Sequence, residues 1–149
     1  KSRFQYGINT ISGALRGYNA IQVFRTGGPE CLRFVKDIPT LPLSSNEVRI
    51  STRSIGVNYH DTYIRTGLYP TNFPCILGCE ASGFIIETGG KTDNLHVGDR
   101  VAFFHYNSGY STEAVVPKDA CFKLPDNVSF ELGAASLVQG LTAHYLSHG

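Results

Sequence analysis

NEVRISTRSIGVN, residues Asn46 to Asn58, is the stretch on which the fold turns. Val48, Ile50, Thr52 and Ser54 alternate with Arg49, Ser51, Arg53 and Ile55. A period of two fits a β-strand with one face turned to a core. Working outward, AIQVFR (20–25) reads as a strand halted by the Gly-Gly-Pro of TGGPE, and CLRFVKDIP (31–39) as a second that runs into prolines. Downstream, ASGFIIETG (81–89), GDRVAFF (98–104), GYSTEAVVP (109–117) and DACFKLP (119–125) complete a series of short strands between glycine and proline turns. Such a series predicts a mainly β domain, a barrel or a sandwich, with a few helices.

Two segments break the pattern. YHDTYIRTG (59–67) reads as a short helix capped at its C-terminus by Gly67. SFELGAASLVQGLTAHYLS (129–147) reads as one long helix, with Ser129 as N-cap and Glu131 in the first turn. Ala134, Leu137, Val138, Leu141 and Tyr145 would form its apolar stripe. Gly140 inside it points to the close approach of another backbone or a ligand, or to nothing more than a tolerated glycine.

Composition narrows the function classes. The chain has 149 residues, 42% of them hydrophobic, a length and a content that suit one packed domain. A net charge of +1 gives no global field for nucleic acid or an acidic membrane. No apolar run approaches the roughly 20 residues that cross a bilayer. Four scattered cysteines read as reduced thiols, hence a cytoplasmic protein, with Cys31 and Cys121 expected as small buried hydrophobes in strands. Residues 1–18 read as an N-terminal extension without fixed structure. Their Lys1, Arg3 and Arg16, unopposed by acid, are equally compatible with the remnant of a mitochondrial or other organelle transit peptide. Both ends read as cut from a longer chain.

FPCILGCEASG (73–83) raises the question of a metal, because Cys75, Cys79 and Glu80 join His60, His96 and His105 as ligand types that zinc accepts. Cys-x3-Cys would suit one helical turn, but its flanks read as loop and strand.

GVNYHDTYIRTGLYP (56–70), ILGCEASG (76–83), VGDRVAFF (97–104), GYSTEAVVP and LVQGLTAHYL (137–146) resemble, in order and spacing, the medium-chain dehydrogenase/reductase superfamily. The best match is its zinc-independent quinone oxidoreductase (zeta-crystallin-like) branch. The resemblance runs from about Ala20 to Leu146. It implies a GroES-like, alcohol dehydrogenase-like β-barrel over 19–128, then a helix over 129–149 leading to a Rossmann domain. No glycine-rich dinucleotide fingerprint occurs in this chain, so that domain is absent from it. Zinc relatives carry a Cys ligand where this chain has Asn58 and a His ligand where it has Cys79, and HYNSG (105–109) replaces their cysteine-rich lobe. The resemblance therefore implies no metal.

It also implies the site. Asn58, Tyr63, Tyr69 and Asp61 are the expected catalytic residues, and Asn58, Tyr63, Gln139 and Thr142 the expected contacts to NADPH. Competing readings stay open for each: Asn58 as a helix cap, Asp61 as a first-turn dipole partner, either tyrosine as packing, and Thr142 as a back-bonded helix hydroxyl. Glu80 is expected to be structural, Arg65 to lie on a solvated helix face, and His60, His105, His144 and His148 to be surface or packing residues. Tyr59 and His60 depart from the proline or apolar residue common in the first motif.

The function so implied is NADPH-dependent reduction of a quinone by a full-length homodimer, with no nucleic-acid or membrane partner. The alternatives are an NADPH-dependent enoyl-thioester reductase of the same superfamily and a non-catalytic, crystallin-like binding protein. The 149 residues alone are expected to fold, to bind NADPH poorly and not to turn over.

Overall fold

A computed structural model describes residues 17–148. The expectations for residues 1–16 lie outside the described residues. Among the described residues, eight strands form two sheets: β1 (Gly17–Val23), β2 (Leu32–Pro39), β3 (Glu47–Ile55), β4 (Cys75–Ile76), β5 (Glu80–Thr88), β6 (Arg100–Phe104), β7 (Glu113–Pro117) and β8 (Cys121–Lys123). The smaller sheet has the order β2-β1-β4 and the larger β7-β3-β5-β6-β8. An isolated antiparallel bridge, Ala20 to Ser111, joins the two, and every paired strand runs antiparallel.

β3 is central to the larger sheet, as its alternation requires. Val48 and Ile50 are fully buried against Ala81, Ile85, Val101, Phe103, Ala114 and Val116 of the neighbouring strands. Burying a side chain as large as Phe103 contributes about 2 kcal/mol. On the opposite face Arg49 is also buried. Its Nε donates to Glu87 Oε2 at 2.8 Å and its Nη2 to the Leu41 carbonyl at 2.5 Å, so the guanidinium is paired on both sides. Two bulges shift the β3–β5 register, between Arg49 and Ile50 and between Thr52 and Ser54. They bend the pair and carry the end of β3 toward the site. A second cluster, Val23, Cys31, Ile64, Cys75 and Leu77, packs under the short helix.

α1 (Tyr59–Thr66) forms as expected, and Gly67 closes it in the left-handed conformation at φ 87°, its N–H bonded to the Ile64 carbonyl. Ser129 caps the later helix, its Oγ accepting from the Leu132 N–H.

Four expectations need correction. Gly17 and Tyr18, placed in the supposed extension, belong to β1, and a side chain at 17 would lie 2.8 Å from the Asp37 Cα on β2. Cys31 is buried, but in a single 3-10 turn over Pro29–Cys31 rather than in a strand, and Cys121 is half-buried at the start of β8. The long helix is three pieces: α2 (Phe130–Ala135), a π-helical segment (Ser136–Gly140) and α3 (Leu141–His148). The stripe is buried only at its start. Ala134 lies in the core, Leu137 and Val138 are half-buried, and Leu141 and Tyr145 are exposed because α3 projects off the sheets. Gly140 closes the π segment, and a methyl group there would make only ordinary contacts with Ala135 and Ser136.

Candidate active site

The site is built where β3, β5, α1 and the π segment meet. β3 ends at Ile55, and Gly56 and Val57 lead to Asn58, the N-cap of α1, in an extended conformation. Asn58 and Asp61 form a capping box at the start of α1, and the Asn58 side chain also reaches across to β5. Its Nδ2 donates to Glu80 Oε1 at 2.8 Å, while its backbone N–H donates to Asp61 Oδ2 at 3.0 Å. That last bond supplies one of the partners a helix N-terminus lacks.

Glu80, at the start of β5, is 0% exposed. Its second carboxylate oxygen accepts the Val138 N–H of the π segment at 2.7 Å, and its carbonyl accepts the Gly56 N–H at 3.0 Å. One carboxylate thus ties the first turn of α1 to the helical arm. A Cβ at Gly56 would stand 2.1 Å from Glu80 Oε1, so glycine is what lets the carboxylate lie there. Gln139, next to Val138, donates from Nε2 to the Val57 carbonyl at 3.1 Å and reaches Asn58 Oδ1 at 3.5 Å. The structure therefore brings Asn58, Glu80 and Gln139 together.

Asp61 faces inward, 4% exposed. Oδ1 accepts the Gly78 N–H at 3.1 Å, and Oδ2 accepts the Tyr110 hydroxyl at 2.8 Å as well as the Asn58 N–H. Every one of these partners is a donor, which suits an ionised carboxylate. Burial, and then the Asp61 carboxylate bonded to it, push the Tyr110 phenol well above its ordinary range, so it stays a neutral donor. Cys79 lies alongside. Burial first, then the charges of Asp61 and Glu80, push its thiol up to about 11, which keeps the proton on sulfur at neutral pH. Among the described residues, no three His, Cys, Asp or Glu side chains converge on a metal-sized point.

Outside this polar knot lies a run of rings. Tyr63 meets Tyr59 at a centroid distance of 6.4 Å and Tyr69 edge-on at 5.4 Å. Tyr69 meets His60 at 5.4 Å, His60 meets Tyr106 at 5.2 Å, and Tyr106 meets Phe104 edge-on at 5.2 Å. Helical geometry explains the division of labour on α1: residues 59 and 63 share the outer face, 60 and 64 the next, and Asp61 the inner one. Tyr63 and Tyr69 are both solvent-exposed at their edges, Tyr69 at 45%.

Thr142 lies elsewhere, in an apolar cleft with Phe104, Phe122, Leu137, Val138 and Leu141. Phe104 lines that cleft and meets Tyr106 edge-on. Arg65 does not lie on a solvated face. Its Nη1 donates to the Gly27 carbonyl at 2.6 Å and pins α1 to the turn after β1. His144 and His148 stack on each other along exposed α3, at 4.7 Å.

Glu80 is structural as expected, but its partner Val138, 58 positions away, leaves no local mark in the sequence. Tyr110, within GYSTEAVVP, and Tyr106, within HYNSG, were not singled out as site residues. His60 was set aside, although its departure from the first motif was the available signal.

Similarity to known proteins agrees with this architecture. The family profile described as the alcohol dehydrogenase GroES-like domain matches residues 44–126. The quinone oxidoreductase of Salmonella typhimurium is 41% identical over 128 residues, a match that covers 85% of this chain and 39% of that protein. Among solved structures, the quinone oxidoreductase of Pseudomonas syringae superposes with a TM-score of 0.82 at 39% identity, over 88% of this chain and 41% of that one. The Escherichia coli quinone oxidoreductase complexed with NADPH gives 0.78 at 36% identity, over 87% and 40%. The chain thus spans about two-fifths of the length of these relatives. With its mainly β architecture, its motifs in order and these matches, the chain belongs to the alcohol dehydrogenase GroES-like domain family, on the quinone oxidoreductase branch of the medium-chain dehydrogenase/reductase superfamily.

Proposed function

We propose that the whole protein passes reducing equivalents from NADPH to a quinone, and that these residues form the acceptor half of its site. The observation that carries this reading is the Asn58 amide, held by a fully buried glutamate beside a run of exposed tyrosine rings. The donor set suits the nicotinamide end of the cofactor. Asn58 and Gln139 present amides and Tyr63 an aromatic edge, while no glycine-rich fingerprint for its phosphates occurs in the chain. When bound, NADPH supplies the hydride.

The chain's own residues then orient and polarise. Glu80 fixes the Asn58 amide, Asp61 acts through the Asn58 backbone, and the Tyr69 ring offers a flat surface for a flat acceptor. A quinone is easily reduced, so side-chain hydrogen bonds suffice where a ketone would need a stronger electrophile. The reading therefore includes independence from zinc. It is supported by the amide at Asn58, a poor zinc ligand. Assembly as a homodimer and residence in the cytoplasm belong to the same proposal and rest on the resemblance alone.

The test follows NADPH absorbance in the whole protein, with a simple quinone or an enoyl thioester as acceptor, with and without a metal chelator. Quinone-dependent oxidation that survives the chelator is the expected result. Activity with the thioester alone would replace the proposal by the reductase alternative. Inertness toward both would favour a binding protein.

A further inference from the structure

Tyr110 lies far from the first motif in sequence, yet its hydroxyl reaches the carboxylate at the start of α1. Its Oη donates to Asp61 Oδ2 at 2.8 Å, the same oxygen that accepts the Asn58 N–H at 3.0 Å. The third donor to Asp61 is the Gly78 N–H, on Oδ1. Asn58 is the group being held, so it cannot be its own anchor. The anchors of this buried carboxylate are therefore the Gly78 N–H and the Tyr110 hydroxyl, and Tyr110 acts on the oxygen that Asn58 uses. Among the described residues, no other side chain bonds Asp61.

The scaffold fixes where that hydroxyl stands. The Tyr110 N–H donates to the Leu77 carbonyl at 2.8 Å, and its carbonyl accepts the Ile21 N–H of β1 at 2.9 Å. The ring packs onto Gly78, where a Cβ would stand 2.5 Å from Tyr110 Cδ1. Burial and the neighbouring carboxylate both oppose ionisation of the phenol, so it remains a donor. An O–H···O⁻ bond is among the stronger hydrogen bonds, and this one ties α1 to a ring carried by another part of the chain.

We infer that Tyr110 is a positioning residue of the acceptor site: its hydroxyl holds Asp61 Oδ2 where it receives the Asn58 N–H, and so fixes the point from which the Asn58 amide projects. For its effect on turnover the inference rests on the quinone reading proposed above. For its effect at Asn58 it rests on the hydrogen bonds alone.

The test uses the whole protein and Tyr110→Phe, which removes one oxygen and keeps the ring on Gly78. Hydrogen exchange is read by NMR at two N–H groups of α1, that of Asn58, bonded to Asp61, and that of Gly67, bonded to the Ile64 carbonyl. Exchange at Asn58 is expected to rise about tenfold in the variant, while Gly67 stays within about twofold. Then kcat/KM for quinone reduction is measured for the natural protein, Tyr110→Phe, Asn58→Ala and the double variant. Tyr110→Phe is expected to lower it about fivefold alone and less than about twofold once Asn58 is alanine, because a residue that acts through another is not additive with it. Unchanged exchange at Asn58, or an equal rise at Gly67, overturns the inference. An equal fractional loss of turnover in both backgrounds also overturns it, since Tyr110 would then act by some route other than Asn58. A natural protein that reduces no quinone overturns the quinone reading, and faster exchange confined to Asn58 would still uphold the role of the hydroxyl.

Discussion

Replacing Glu80 with alanine is expected to lower stability by about 3 kcal/mol and the melting temperature by roughly 10 °C. Two N–H donors lose their acceptor at once, Asn58 Nδ2 and the Val138 backbone, and Val138 is half-buried inside a helical segment. Each such group left unpaired costs about 1–3 kcal/mol. Truncation also opens space next to Gly56, which the side chain now fills to 2.1 Å of where a Cβ would stand. One effect opposes these: removing a fully buried carboxylate relieves its desolvation. The sum stays unfavourable because alanine solves the charge without satisfying either donor. Glu80→Gln should fall between, since its amide keeps one acceptor oxygen and turns an N–H toward the other donor. Thermal melting of both variants decides the matter. A change under about 1 kcal/mol for Glu80→Ala would show that desolvation cancels the two bonds, and that the carboxylate does not hold α1 to the arm.

Asp61→Asn is expected to cost about 2–3 kcal/mol, although it changes one atom and no volume. Three donors converge on Asp61, from Gly78, Asn58 and Tyr110. An asparagine has one oxygen to offer, so in either orientation its NH2 faces at least one backbone N–H. The Tyr110 hydroxyl can turn to accept; the backbone groups cannot. With the amide nitrogen in place of Oδ2 the Asn58 N–H is opposed, and in place of Oδ1 the Gly78 N–H. The helix start should loosen, and the Asn58 amide with it. Denaturant titration reads the loss as a lower midpoint at unchanged slope. A midpoint like that of the natural protein would mean that the capping network contributes little and would leave Asp61 without its positioning role.

The legible parts of this fold were those whose cause is local. β3 declared itself by alternation, α1 by its length and the glycine at 67, and the Ser129 cap by residue type. β4 was invisible because two residues carry no period, and it exists only as a partner for Val23 and Gln22 of β1. The need for glycine at 17 comes from the backbone of Asp37, twenty residues on. The break in the long helix lies where Glu80, from another strand, meets the Val138 N–H, and SLVQG has no residue that would announce it. Gly140 drew attention for close approach, yet the tightly packed glycines include 17, 56, 78, 83, 89 and 109.

The candidate site divides the same way. Asn58, Tyr63 and Tyr69 could be named because the first motif contains them in one stretch. What holds them could not, since Glu80 and Tyr110 lie 22 and 49 positions from the residues they bond. Thr142 was grouped with Gln139 on the resemblance, but the π segment lies between α2 and α3, and Thr142 lines the cleft of Phe104 and Phe122.

The measurement that bears most directly on the central claim is kcat/KM for NADPH-dependent quinone reduction by the whole protein, natural and Asn58→Ala, at a temperature where melting shows both folded. If the Glu80-held amide faces the cofactor and acceptor, the variant falls at least tenfold, equivalent to about 1.4 kcal/mol of transition-state stabilisation. An Asn58→Ala protein that is folded and reduces quinone at the natural rate would contradict the account, and the amide would then be a strut for α1 and nothing more.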